Sequence, residues 1–131
     1  MQLEKVIEMP SVNGRIDHMA VNLKKQILYI AALGNNSLEI IDLHSGTVIH
    51  SISGLDEPQG VAYIPERDEI TVANGGNGNC IFYNATTYVI TATVHLSGDA
   101  DNVRYNPTTG KIYVGYGGGG IAVIDAKTHT Q

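Results

Sequence analysis

Polar side chains recur along this 131-residue chain at intervals of 42 residues. One position has Asp17, Gln59 and Asp101, and the next has His18 and Asn102 with Gly60 between them. Carboxylate and amide oxygens are suited to Ca²⁺ or Mg²⁺, and a histidine among them favours a transition metal. We therefore consider a metal site formed by Asp17, His18 and Asp101. The alternative is that these groups cap turns and bind water, as Asp and Asn commonly do in loops.

The interval of 42 residues belongs to a repeat of the whole chain. His18-Met-Ala-Val-Asn-Leu aligns with Gly60-Val-Ala-Tyr-Ile-Pro and with Asn102-Val-Arg-Tyr-Asn-Pro. Each unit has short apolar runs rich in Val, Ile, Thr and Tyr, separated by Gly, Asn, Asp, Pro or Ser, which is typical of strands. No stretch keeps apolar residues at helical spacing with caps at both ends. Three all-β units are predicted.

Two strands of these units, Ile27 to Ala31 and Ile112 to Gly115, are apolar on both faces. This pattern indicates sheets that are covered on both sides. Stacked four-stranded sheets with a period of about 40 to 45 residues form a β-propeller. We expect one all-β propeller segment over residues 1–131, with three four-stranded blades at about 16–53, 58–95 and 100–131 plus 3–9.

The outermost strand of the third blade is predicted at the other end of the chain. Val6-Ile-Glu-Met lies 42 residues before Val48, which begins the outermost strand of the first unit, and the third unit ends at Gln131 before such a strand. Three blades are too few for a ring, and an open blade exposes an unpaired edge. We expect a homodimer in which each amino-terminal strand completes the partner's third blade, giving a six-bladed ring. The alternative is that further blades belong to a longer chain.

The loops between blades should meet at one mouth of a central channel. A ligand there would contact Arg15, Asp17, His18, Gln59, Asp101, Asn102 and Arg104. Two functions remain open at this point. One is a non-catalytic binding or assembly scaffold without a cofactor, and the other is a metal-assisted hydrolase or isomerase in which a divalent cation activates water.

Other residue patterns favour structural roles. The glycine clusters at 75–78 and 117–120 are followed by neither Lys-Ser/Thr nor a helix, so hairpin turns explain them better than phosphate binding. Asp42, Asn84 and Asp125 recur before Ser, Thr or Lys-Thr and are predicted to accept backbone hydrogen bonds in turns. Cys80 is predicted to pack in the core. Four histidines are expected on the surface: His44, His50, His95 and His129.

Three segments resemble the repeats of YVTN-type β-propellers: LYIAALGNNSLEIIDLHSGTVI (28–49), ITVANGGNGNCIFYNATTYVI (70–90) and IYVGYGGGGIAVIDAKTH (112–129). The resemblance covers essentially the whole chain and implies fold more than function. Members of that family usually form seven-bladed rings in longer chains and are often exported or on cell surfaces. Here the chain is about half that length, and the middle unit has Asn84 for the usual Asp and Tyr88 where the first unit has Gly46.

Composition excludes several classes of partner. The net charge is −5 and no run of Lys or Arg exists, so nucleic acid is not expected as a partner. No apolar stretch approaches the length of a membrane span, and the single cysteine cannot form an intrachain disulfide. The first 15 residues include acids and a proline, so we recognise no secretory signal in them. A periplasmic or cell-surface location is what the resemblance to YVTN-type propellers implies.

Overall fold

The computed structural model describes residues 1–131 and contains eleven strands in three antiparallel sheets. Each sheet is one blade, with its strands in chain order from the inside outwards. Blade 1 consists of β1 (Met19–Asn22), β2 (Ile27–Ala32), β3 (Ser37–Asp42) and β4 (Thr47–Ser53). Blade 2 consists of β5 (Pro58–Ile64), β6 (Glu69–Asn74), β7 (Asn79–Asn84) and β8 (Ile90–His95). Blade 3 consists of β9 (Val103–Asn106), β10 (Lys111–Tyr116) and β11 (Gly120–Asp125).

The core lies between the blades, as sheets that are apolar on both faces require. Between blades 1 and 2, Tyr29 and Ile40 pack with Ile70 and Val72. Between blades 2 and 3, a second cluster forms around Phe82. All six residues of β6 are buried, because this strand is covered by a blade on each side. The predicted three-bladed, all-β architecture is confirmed.

The turn after the third strand of each blade has the predicted chemistry. The side-chain oxygen Oδ1 of Asp42 accepts a hydrogen bond from the backbone N–H of His44, and Oδ1 of Asn84 accepts from Thr86. Oδ1 of Asp125 accepts from Lys127 and Thr128. These bonds close the turns without a helix, and the only helical elements are two 3-10 turns, at Leu33–Asn35 and Pro65–Arg67. None of the helical elements is long and apolar enough to cross a membrane.

Blade 3 differs from the other two because it has three strands, with β11 at its outer edge. Residues 1–9, where an outer strand was predicted, form no strand within the single chain. The pairing of this segment with the third blade of a partner chain therefore stays a prediction.

Candidate functional site

Equivalent backbone hydrogen bonds hold the loops of blades 1 and 3 where the mouth of a channel was predicted. The N–H of Asp17 donates to the carbonyl of Ala31 at 2.8 Å, and the N–H of Asp101 donates to that of Gly115 at 2.9 Å. The carbonyl of His18 accepts from Ala31, and that of Asn102 accepts from Gly115, both at 3.0 Å. The repeat therefore places residues 17 and 101, and residues 18 and 102, in matching positions.

Four of the predicted mouth residues form one connected polar group around His18. Its Nε2 lies 3.2 Å from Nδ2 of Asn102, and its Nδ1 lies 2.9 Å from Oδ1 of Asp17, at an angle that makes no hydrogen bond. The other carboxylate oxygen of Asp17 accepts a hydrogen bond from Arg15 at 2.9 Å. The group links the first and third blades across the second.

Gly60 allows this contact across blade 2. It occupies the same repeat position as His18 and Asn102, and the N–H of His18 donates to the carbonyl of Gln59 beside it. A Cβ on Gly60 would overlap the carbonyl oxygen of Asp101 and would lie 2.7 Å from Cγ2 of Val103. Only a glycine lets the chain before β9 approach β5 this closely.

The remaining predicted mouth residues do not join the group. The amide of Gln59 lies over Gly75, where an added Cβ would overlap its Nε2. The Asp101 side chain makes no hydrogen bond within the chain, and Arg104 is exposed and donates to the carbonyl of Val103 at 2.8 Å. No group of three or more His, Cys, Asp or Glu side chains is arranged to hold a metal ion. Metal binding by Asp17, His18 and Asp101 thus stays a prediction.

Below the mouth, the inner strands β1, β5 and β9 line a cleft of ≈ 440 Å³. Its wall is mainly apolar, with Met19, Val61 and Val103 beside His18 and Arg104. In a complete propeller this cleft would form part of the wall of the central channel.

The outward face of blade 3 is open, although its residues match buried ones in blade 1. Leu38, Ile40 and Tyr29 face blade 2 and are 0%, 0% and 1% exposed. The same positions in blade 3 are Ile121, Val123 and Tyr113, which are 70%, 43% and 37% exposed. Blade 3 therefore ends in an apolar sheet face of the kind that elsewhere in this chain packs against another blade.

Blade 1 has the opposite open face, and the N-terminal arm, residues 1–12, covers part of it. Met19 and Val21 are exposed, whereas Val61, which corresponds to Met19 in blade 2, is buried. Over the outer part of the face, the arm and β4 enclose a cavity of ≈ 580 Å³ that also reaches Glu39. The Glu39 side chain is buried and its Oε1 accepts hydrogen bonds from Ser37 and Ser51.

A buried ionic cluster between blades 2 and 3 was not predicted from the sequence. Glu69 accepts hydrogen bonds from Thr91 at 2.5 Å and from Arg67 at 3.1 Å, and its Oε2 lies 2.9 Å from Nε2 of His129. Burial alone would raise the pKa of Glu69, but these hydrogen bonds outweigh it and hold the pKa below its ordinary value. The surface prediction for His129 is wrong, since its ring packs on Phe82 with centroids 4.6 Å apart.

The one sequence feature that could have marked this cluster is an acidic residue, Glu69, at the start of a strand that is apolar on both faces. Residues 42 before and after Glu69 are Ile27 and Lys111, so no repeat of the charge marked the position. The partner, His129, lies 60 residues away in the chain.

These three sheets are consecutive blades of a β-propeller, and comparison with solved structures supports that class. The chain is similar to the Kuenenia stuttgartiensis hydrazine synthase, with a TM-score of 0.79 and 16% sequence identity, and the match covers 86% of the present chain. It is also similar to Saccharomyces cerevisiae Sqt1, with a TM-score of 0.76 and 9% sequence identity, and this match also covers 86% of the present chain. Both of these proteins contain propellers. At such identities the likeness concerns fold alone.

The chain spans 33% and 32% of those two structures, about one third of each. No protein-family model and no curated protein matches the sequence. Membership of the YVTN-type family accordingly stays a prediction, while the propeller fold is established.

Proposed function

We propose that the chain is a non-catalytic assembly scaffold, in which two copies close a six-bladed ring by docking the open face of each blade 3 onto the open face of the other copy's blade 1. The observation that carries the proposal is the exposure of Tyr113, Ile121 and Val123 at positions that are buried between blades 1 and 2. Apolar sheet faces are stable when another layer covers them, since burying one large aliphatic side chain contributes about 1.5–3 kcal/mol.

Charge also favours a second copy as the partner. The open face of blade 3 carries Arg104 at the position of Ala20 and Ala62. The facing side of blade 1 carries Glu39, which is buried beside the arm, at the position of Ile81 and Ala122. The charges are opposite in sign and each stands where both internal interfaces have an apolar residue, so they suit the pairing of one face with the other.

The experiment is a measurement of solution mass by light scattering over a range of concentrations. We expect the wild-type chain to be a dimer and Ile121→Asp to be a monomer that stays folded, because Ile121 lies on the surface of the single chain. Leu23→Asp is the matched control, since Leu23 is 74% exposed but lies in the turn between β1 and β2. A folded wild-type monomer at all concentrations would overturn the proposal and favour further blades in a longer chain.

A further inference from the structure

We propose that the N-terminal arm is already in place to pair with a second copy: its residues Val6 to Met9 add an antiparallel strand to the open edge of β11 in the partner, while the arm stays on blade 1 of its own chain. This inference rests on the proposed ring and adds the strand pairing between the arm and β11 that would stabilise it. No exchange of the arm from one chain to the other is needed, because one position of the arm serves both chains.

The first observation is the place of the arm relative to blade 1. At the interface of blades 1 and 2, β4 lies against blade 2, and His50 stacks on Tyr88 with ring centroids 4.3 Å apart. Residues 42 earlier than this pair are Glu8 and Gly46, and both line the cavity between the arm and blade 1. Lys5 Nζ also lies 3.5 Å from the carbonyl oxygen of Ser45. The arm therefore occupies the position of the outer strand of a preceding blade.

The second observation is that both proposed partners have free backbone edges. β11 is the outer strand of its sheet and pairs with β10 alone. Residues 1–11 of the arm make a single backbone hydrogen bond, from the N–H of Val12 to the carbonyl of Met9. Unpaired strand edges of this kind add further strands readily.

The register follows from the two complete blades. In blade 1, Ile40 is opposite His50 and Glu39 is opposite Ser51, with a bulge before Ile41 and Val48. Blade 2 repeats this arrangement, with a bulge between Phe82 and Tyr83. Transferred to the arm and β11, the register places Met9 opposite Ala122, Glu8 opposite Val123 and Val6 opposite Ile124, with Ile7 in the bulge.

Disulfide trapping in the full chain tests the register. Met9→Cys with Ala122→Cys should give a covalent dimer on oxidation, because residues directly opposite in an antiparallel pair lie within disulfide range. The matched control is Val6→Cys with Ala122→Cys, which keeps the same cysteine on β11, changes an exposed residue of the arm and places the two cysteines out of register, so it should give at least about tenfold less dimer. The native Cys80 is buried and does not compete.

The outcomes separate this inference from the ring itself. A covalent dimer from the in-register pair alone supports the inference. The chain could instead be a dimer by light scattering while both cysteine pairs, or neither pair, form disulfides. That result would overturn the pairing of the arm with β11 but not the docking of the blade faces. A folded monomer overturns both. Deletion of residues 1–9 should also weaken the dimer about tenfold or more, since the backbone hydrogen bonds between the arm and β11 would be lost.

Discussion

His129 Nε2 lies 2.9 Å from Glu69 Oε2, so the last turn of the chain closes over a carboxylate buried in the middle blade. The Glu69 side chain is 3% exposed and that of His129 is 14% exposed, so water screens this pair only weakly. The contact ties blade 3 to blade 2 directly beside Phe82, which belongs to the apolar core between the same two blades.

Glu69→Gln should lower the free energy of unfolding at neutral pH by about 1–3 kcal/mol, because it weakens the hydrogen bonds from Thr91, Arg67 and His129. The pKa of Glu69 is below its ordinary value in the folded chain. Its stabilising contribution is therefore complete above the ordinary pKa and is lost as the pH falls through the folded pKa. Urea titrations at several pH values should show a shallower acid loss in Glu69→Gln.

The control for this prediction is Glu57→Gln. Glu57 is exposed and its side chain makes no hydrogen bond within the chain, so the acid dependence should stay as in the wild type. An unchanged acid slope in Glu69→Gln would show that the cluster does not contribute to stability.

Gly60→Ala should destabilise the chain by about 1–3 kcal/mol, the usual cost of overpacking. The added methyl group would overlap the carbonyl oxygen of Asp101, which is backbone and cannot rotate away. Gly118→Ala is the matched control, because nothing lies within 4 Å of the methyl group that it adds. Thermal or urea unfolding of both variants measures the difference, and equal stability of the two would contradict the close approach of blades 2 and 3.

Tyr88→Gly should be more stable than Tyr88→Ala by about 1 kcal/mol, because Tyr88 has a φ of 59°, which disfavours a residue with a Cβ. Gly46 and His129 stand at the matching turn positions, with φ values of 68° and 55°. At Thr87, whose φ is not positive, the order should reverse and alanine should be the more stable. Urea unfolding of the four variants checks the sign, and the same order at both positions would argue against a left-handed turn at Tyr88.

Cys80 should react with thiol reagents only when the chain opens. Burial raises the pKa of its thiol to about 12, and the side chain is fully buried in the core between blades 2 and 3. Labelling of the native protein at mildly alkaline pH should be at least about a hundredfold slower than labelling in urea. Ser11→Cys, at an exposed position in the arm, provides the rapidly labelled reference. Equal rates at the two positions in the native protein would contradict the placement of β7 in the core.

The repeat gave good predictions for local structure. The strands around Ile27, Ile112 and Cys80 lie where the apolar runs were found, since the strands of a propeller blade present apolar residues to both faces of the sheet. The turns at Asp42, Asn84 and Asp125 were also predictable, because they depend on hydrogen bonds between residues two or three apart.

Contacts between distant segments could not be predicted in the same way. The meeting of His18 with Asn102 depends on the angle between successive blades and on the space left at Gly60. The burial of His129 depends on Glu69, whose position in the repeat holds Ile27 in one unit and Lys111 in another. The arm presented a similar difficulty, since residues 1–9, where an outer strand was predicted, form no strand within the single chain.

The amino-acid sequence alone determined the repeat, the strand and turn positions and the propeller class, because hydrophobic periodicity and turn chemistry act over a few residues. Tertiary structure alone decided which mouth side chains touch, where the ionic cluster forms and which two blade faces stay open. Those features depend on the distances and angles between whole sheets, and these are fixed by packing of side chains that lie many residues apart.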